Sequence, residues 1–342
     1  MLIQKKAMEN VHFITLYNQK GMVLTLSTFG ASIYQLDFIN DSKVFESVIL
    51  TPSKLSDFYD SDGYYGKTIG RFSGRIDHAK CEIHHLSYQL DKNWKNQHSL
   101  HGGKNGLSFQ NFTYHVQNHT DYVDVFFELV EKENDLPGNV QYQIIYRVFE
   151  NQNDFTIFFN AISDKDTLVN LTNHTYFNLS GNAKKTILEE NLQLFCNRYV
   201  QVNDDLIPTK IETVDSTMDF QKSHPIKKHI NDKSLLCSAA NGYDHCFIKK
   251  DEQQPLIAIL KDEDSKRSLS IETSYPAVVC YTCNYPASIP FNNTSLKIKK
   301  HHAICFECQY IPNGVNLNDT TIEKGILKAN EKYHHYIHYH FN

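Results

Sequence analysis

The chain has a single tryptophan, no block of basic residues and no apolar run approaching the roughly 18 residues of a membrane span. Each absence removes a class of function. No transmembrane helix is expected. With 34 Lys and Arg against 39 Asp and Glu, a net charge of −5 and no basic stripe, neither a nucleic-acid surface nor an anionic-membrane surface is expected. The opening MLIQKKAMENVHF has no apolar run followed by a small-residue cleavage site, so a mature, cytoplasmic chain is expected. Low-complexity linkers, composition shifts and fixed-period repeats are missing as well. One domain spanning residues 1–342 is the expectation.

Helical periodicity is also scarce, with short candidates only around residues 52–60 and 232–240. Aromatic residues are plentiful instead: 20 Tyr and 21 Phe, alongside 18 His. YVDVFFELVE (122–131), QYQIIYRVFE (141–150) and DFTIFFNAIS (154–163) are largely alternating runs of aromatic and β-branched residues. MVLTLSTFG, NFTYHVQN, RSLSIETS and SLKIKKHHAICFECQY continue the habit, and DLPGN and NLSGN carry the residues of tight turns. Strands following strands at short spacing predict an all-β fold, a large antiparallel β-sandwich.

Cysteine is dilute: Cys81, Cys196, Cys237, Cys246, Cys280, Cys283, Cys305 and Cys308, expected as reduced thiols. The last four spell two C-x-x-C pairs, a spacing that zinc sites use. Strand alternation argues against that use here. On a strand over 303–310, Cys305, Glu307 and Gln309 share one face, while Phe306 and Cys308 share the other. Two cysteines three apart on a regular strand cannot grip one ion, so these four are expected to be buried packing residues. The tail YHHYIHYHF (333–341) puts His334, His338 and His340 on one side, as on an exposed edge strand that leaves room for a homodimer. No metal is assigned to it.

Five clusters set charged or titrating groups beside turns or inside apolar strands. GRFSGRI holds Arg71 and Arg75, SLHGGKNGL holds His101, and LTNHTYFNLSG places Thr172, His174 and Tyr176 on one strand face. GYDHCF puts Asp244 at a turn-to-strand junction. In AICFECQY, Glu307 is a carboxylate amid apolar neighbours, which is costly to bury unless partnered or used. A glutamate base and a histidine acid on opposite edges of a small polar ring can move two protons with no metal or organic cofactor. Opening a cyclic hemiacetal requires that pair of transfers.

Together, GRFSGRI, LHGG, NHTYFNLSG, YDHCF, YTCN and FECQYIPNGVN, in this order from about residue 68 to 316, resemble the aldose 1-epimerase (galactose mutarotase) family. The resemblance implies a large β-sandwich with a sugar pocket on a concave sheet, a free hexose such as galactose or glucose as substrate, and no cofactor. It implies His174 as the general acid toward the ring oxygen and Glu307 as the general base toward the anomeric hydroxyl. His101, Asp244 and Arg75 would bind the sugar. The chain departs from the family wording at Gly74, where many members have Asn, and at Val279, where many have Gln; Cys283 replaces a usual Gly and Asn313-Gly314 replaces Asp-Ala. These departures bear on which sugar is preferred. Two alternatives stay open: an epimerase for a phosphorylated or modified sugar, for which Arg71 is the one nearby cation, and a non-catalytic carbohydrate-binding sandwich.

Overall fold

The computed structural model describes residues 1–236, 238–291 and 297–342; Cys237 and the first residues of the SLKIKK stretch lie outside the described residues. Every strand pairing among the described residues is antiparallel, in keeping with the short turn-rich connections. Three large sheets emerge. One has nine strands, with the order Thr113–Asn118, Tyr122–Glu131, Val140–Phe149, Asp154–Ser163, Lys332–Phe341, Ser268–Thr273, Leu256–Lys261, Asn191–Leu194 and His224–Pro225. A second has six: Tyr176–Phe177, Ile304–Gln309, Ala277–Tyr281, Asp244–Lys249, Cys196–Val202 and Pro208–Thr213. A third, five-stranded sheet is built from residues Leu2 to Ser47 in simple sequence order.

The alternation read from sequence becomes burial. In Val140–Phe149, Tyr142, Ile144, Tyr146 and Val148 face inward, while Arg147 faces out and grips its cross-strand partner Asp124 with two 2.9 Å bonds. The inner faces of the nine- and six-stranded sheets meet in one core, with Val125, Phe127 and Ile157 from the first and Phe247, Val278 and Phe306 from the second. This is the antiparallel β-sandwich expected. The two short helices predicted fall within their expected places, at Leu55–Asp60 and Lys233–Leu236, and a third, Lys227–Ile230, was not anticipated.

Three expectations are corrected. The strand predicted from SLKIKKHHAICFECQY begins only at Ile304; residues 300–302 form a turn, with His301 in the left-handed region at φ 63°. The segment LTNHTYFNL is not one strand, because Thr172–Asn173 pairs with Thr68–Ile69 and Tyr176–Phe177 pairs with Ile304–Gln309, leaving His174 at the break. The histidine-rich tail is not an edge. Lys332–Phe341 pairs on both sides, with Asp154–Ser163 and with Ser268–Thr273. Its alternating Tyr333, Ile337, Tyr339 and Phe341 carry it into the middle of the sheet, and His334, His338 and His340 do share the other face, bonded to Asn160, Thr156 and Asp154.

The inward half of Ile304–Gln309 is therefore the anchor for its outward half. Phe306 is 1% exposed within the shared core. Phe306→Ala is expected to cost about 3–5 kcal/mol of unfolding free energy, measured by urea denaturation. A cost below about 1 kcal/mol would mean that this strand is not held by its core face.

Candidate functional site

The outer face of the six-stranded sheet floors a cavity of about 600 Å³. Register sets the floor. Glu307 pairs with Val279, which pairs with Cys246, and Asp244 pairs with Tyr281, which pairs with Cys305. Because side chains alternate, Glu307 and Gln309 point into the cavity, while Phe306 and Cys308 point into the core. The four cysteines of the two C-x-x-C pairs separate in the same way. Cys280 and Cys308 join the main core, and Cys283 and Cys305 join a second cluster with Leu50, Tyr65 and Tyr176.

All five sequence-predicted residues reach this cavity: Arg75, His101, His174, Asp244 and Glu307 line it. His174 Nε2 lies 3.4 Å from Glu307 Oε1, and both side chains are almost wholly buried. The other ring nitrogen of His174, Nδ1, is 3.5 Å from Cys305 Sγ. Acid and base candidates are thus neighbours, not groups on opposite edges of the space. The chemistry explains it. The anomeric oxygen and the ring oxygen hang on one carbon, so groups that each reach within about 2.6–3.2 Å of them must themselves be close.

Burial works in opposite directions on the two groups. It pushes Glu307 up to about 8, helped by the charge of Asp244 and opposed by Arg75 and by the Gln309 side chain. It pushes His174 down to about 4, with Asp244 opposing the shift. Near neutral pH the two together therefore hold one proton. Moving it from carboxyl to imidazole across 3.4 Å converts the pair into carboxylate and imidazolium without any exchange with solvent.

His101 is held by a reciprocal pair of bonds to Gly74. Its backbone N–H donates to the Gly74 carbonyl at 3.0 Å, and the Gly74 N–H donates to its Nδ1 at 3.2 Å. The accepting Nδ1 leaves the ring proton on Nε2. Burial, with His174 and Arg75 nearby, keeps the ring neutral by lowering its pKa well below the ordinary value. His101 is therefore a donor at Nε2. Gly74 has φ +73°, and a Cβ there would lie 2.4 Å from Pro312 Cβ, so no side chain fits unless Pro312 moves. Val279 lines the cavity beside Glu307 and offers it no polar atom.

Asp244 and Arg75 form an ion pair at 3.3 Å, and the Arg75 guanidinium sits 4.6 Å from the ring centroid of Trp94. Arg71 goes elsewhere. It is 2% exposed, with bonds to Glu131, the Pro137 carbonyl and Thr167 on the far side of its loop. The phosphate subsite that Arg71 would have supplied is not there.

One ligand atom each from His101, His174 and Glu307 lie within 4.8 Å of one another, a spacing a metal could use. His101 fits it poorly, because its one free nitrogen carries the ring proton. The trio is better arranged for proton transfer and donation.

Sequence reasoning missed the wall facing this floor. Tyr64, with its ring 4.8 Å from His101 and 6.0 Å from His174, lines the cavity together with Asp57, Asp60 and Asp62. Trp94 was visible as the sole tryptophan, but nothing local tied it to Arg75.

The family model for aldose 1-epimerase matches residues 12–340. An aldose 1-epimerase from Streptococcus thermophilus is 30% identical over 337 residues, covering 95% of this chain and 94% of its own length. A galactose mutarotase from Homo sapiens is 28% identical over 313 residues, covering 90% and 87%. Among solved structures, a galactose 1-epimerase from Lactobacillus acidophilus has a TM-score of 0.86 at 26% identity, covering 100% of this chain and 98% of its own. An aldose epimerase homologue from C. elegans has a TM-score of 0.85 at 26% identity, covering 96% and 98%. The chain belongs to the aldose 1-epimerase family.

Proposed function

We propose that this isomerase interconverts the α and β anomers of free hexoses such as galactose and glucose, with Glu307 and His174 as its proton-transfer pair. The observation that carries the reading is their 3.4 Å contact at the floor of the cavity. Glu307 as carboxylate takes the proton of the anomeric hydroxyl. The electron pair left on that oxygen forms the carbonyl, the bond from C1 to the ring oxygen breaks, and the ring oxygen takes a proton from His174. Rotation about C1–C2 of the open aldehyde presents its other face. Closure then reverses both transfers, returning the proton to His174 and giving the opposite anomer. His101 donates from Nε2 near the ring oxygen. Asp244 and Arg75, an acceptor and a donor already paired, re-aim to the sugar hydroxyls.

The wall chemistry favours a neutral sugar. Asp57, Asp60, Asp62 and Asp244 face the cavity, against the Arg75 guanidinium among the described lining residues. A phosphate entering it would meet carboxylates, and Arg71 is committed elsewhere. The whole chain is taken as one functional domain, supported by a core that includes both Ile14 and Phe341. A cytoplasmic setting is part of the proposal, in keeping with buried free thiols at each described cysteine.

Polarimetry of α-to-β conversion tests the roles. Glu307→Gln and His174→Ala should each lower kcat by about 10²–10⁴-fold. Parent-level turnover in both variants would remove the assignment. The profile of kcat/KM against pH should be bell-shaped. Activity falls below about 4, as the pair takes a second proton and loses its base, and above about 8, as it gives up its only proton and loses its acid. A profile flat from pH 3 to pH 10 would contradict a one-proton pair. Hexose 6-phosphates should be handled with kcat/KM at least about tenfold below that of the free hexose; the reverse order would show a phosphate subsite on this wall.

A further inference from the structure

Lys67 is fully buried, 0% exposed, and takes no part in the proton transfers. Its ammonium nitrogen lies 4.9, 5.3 and 4.8 Å from the ring centroids of Phe29, Phe58 and Phe109. Its hydrogen bond goes to the Tyr59 carbonyl, at 3.3 Å. Burial pushes its pKa from the ordinary lysine range down to about 7, against the pull of Asp60 and Asp62. Three ring faces and one carbonyl compensate a cation only in part. An uncharged side chain of similar length would fill the same space without that penalty. Stability alone therefore does not account for an ammonium here.

The surroundings do. Lys67 joins two parts of the site. Through its backbone it is tied to the acid candidate: its carbonyl accepts the His174 N–H at 2.9 Å, and the neighbouring Gly66 N–H donates to the His174 carbonyl at 2.9 Å. Through its side chain it holds the last turn of the helix Leu55–Asp60. That helix has six residues and no side-chain cap at its N-terminus, so it has little stability of its own. It nevertheless supplies Asp57 and Asp60 to the cavity wall and leads directly into Asp62 and Tyr64.

We infer that Lys67 is a positioning residue for sugar binding, its ammonium fixing the end of this short helix so that the acidic wall and Tyr64 stand in register with His174. The inference rests on the cavity being the sugar site, as proposed above. Because His174 and Glu307 keep their own supports, the effect falls on KM and leaves kcat nearly alone.

The test compares Lys67→Met and Lys67→Gln with the parent, by mutarotation kinetics on galactose and by thermal unfolding, with Glu307→Gln alongside. Lys67→Met should keep or raise Tm while KM rises about three- to tenfold and kcat stays within about twofold. Lys67→Gln retains a donor for the Tyr59 carbonyl and should recover part of the lost affinity. A parent-level KM in Lys67→Met would overturn the role. So would a joint fall of Tm, kcat and affinity in both variants, which is the behaviour of ordinary packing. Glu307→Gln is read separately: parent-level turnover there would unseat the site itself, whatever the Lys67 variants do.

Discussion

The 3.4 Å contact between Glu307 and His174 is the constraint on which the site is built. Glu307 cannot retreat from it. Its neighbours Phe306 and Cys308 are sunk in the shared core of the sandwich, and on a strand that fixes the intervening side chain to the opposite face. His174 is held as firmly, at the break between two short strand pairings, with backbone bonds to Lys67 and Gly66. A carboxyl and an imidazole that would each prefer water are thereby kept together out of it. The sandwich core offsets what the pair costs.

Two further groups tune that pair without closing on it. Asp244 raises Glu307 and opposes the depression of His174, so its charge favours keeping a proton between them. Arg75 acts in the opposite sense on Glu307. Their mutual ion pair at 3.3 Å moderates both influences, and burial, the larger cause on either group, leaves the dyad with one proton between about pH 4 and pH 8. The same two side chains present an acceptor and a donor to a polyhydroxylated ligand. One interaction thus serves electrostatics and recognition together.

How much of this was legible in the sequence depended on how local each cause is. Tyr122–Glu131 and Asp154–Ser163 were read with their boundaries intact, because alternation is a property of the strand itself. The face of Glu307 followed from the same two-residue period. Edge against centre is not local. The tail His334–His340 looked like an edge because its histidines are polar, and only pairing with Asp154–Ser163 and Ser268–Thr273 puts it mid-sheet. Arg71 and Arg75 share one short motif, yet one is buried against Glu131 and Thr167 while the other faces the cavity. The wall of Asp57, Asp60, Asp62 and Tyr64 carried no chemical signature, since its role comes from what it faces, residues as far along the chain as Asp244 and Glu307.

Left-handed backbone and buried ionisable groups occur elsewhere in the fold, at Lys266 and Glu190 for instance, but at this site they gather around one imidazole. His101 holds a left-handed backbone at φ 51°, Glu307 is a nearly dry carboxyl group, and Lys67 a dry ammonium. Each breaks a local preference that the long strands obey. All three lie on or directly behind one cavity and are joined by named contacts to His174. A fold selected for stability alone would have relieved them singly, since each has a cheaper substitute. Their clustering around one imidazole is what a proton-transfer site requires, because only groups held away from water and from their preferred conformations stay aimed at a sugar that binds and leaves.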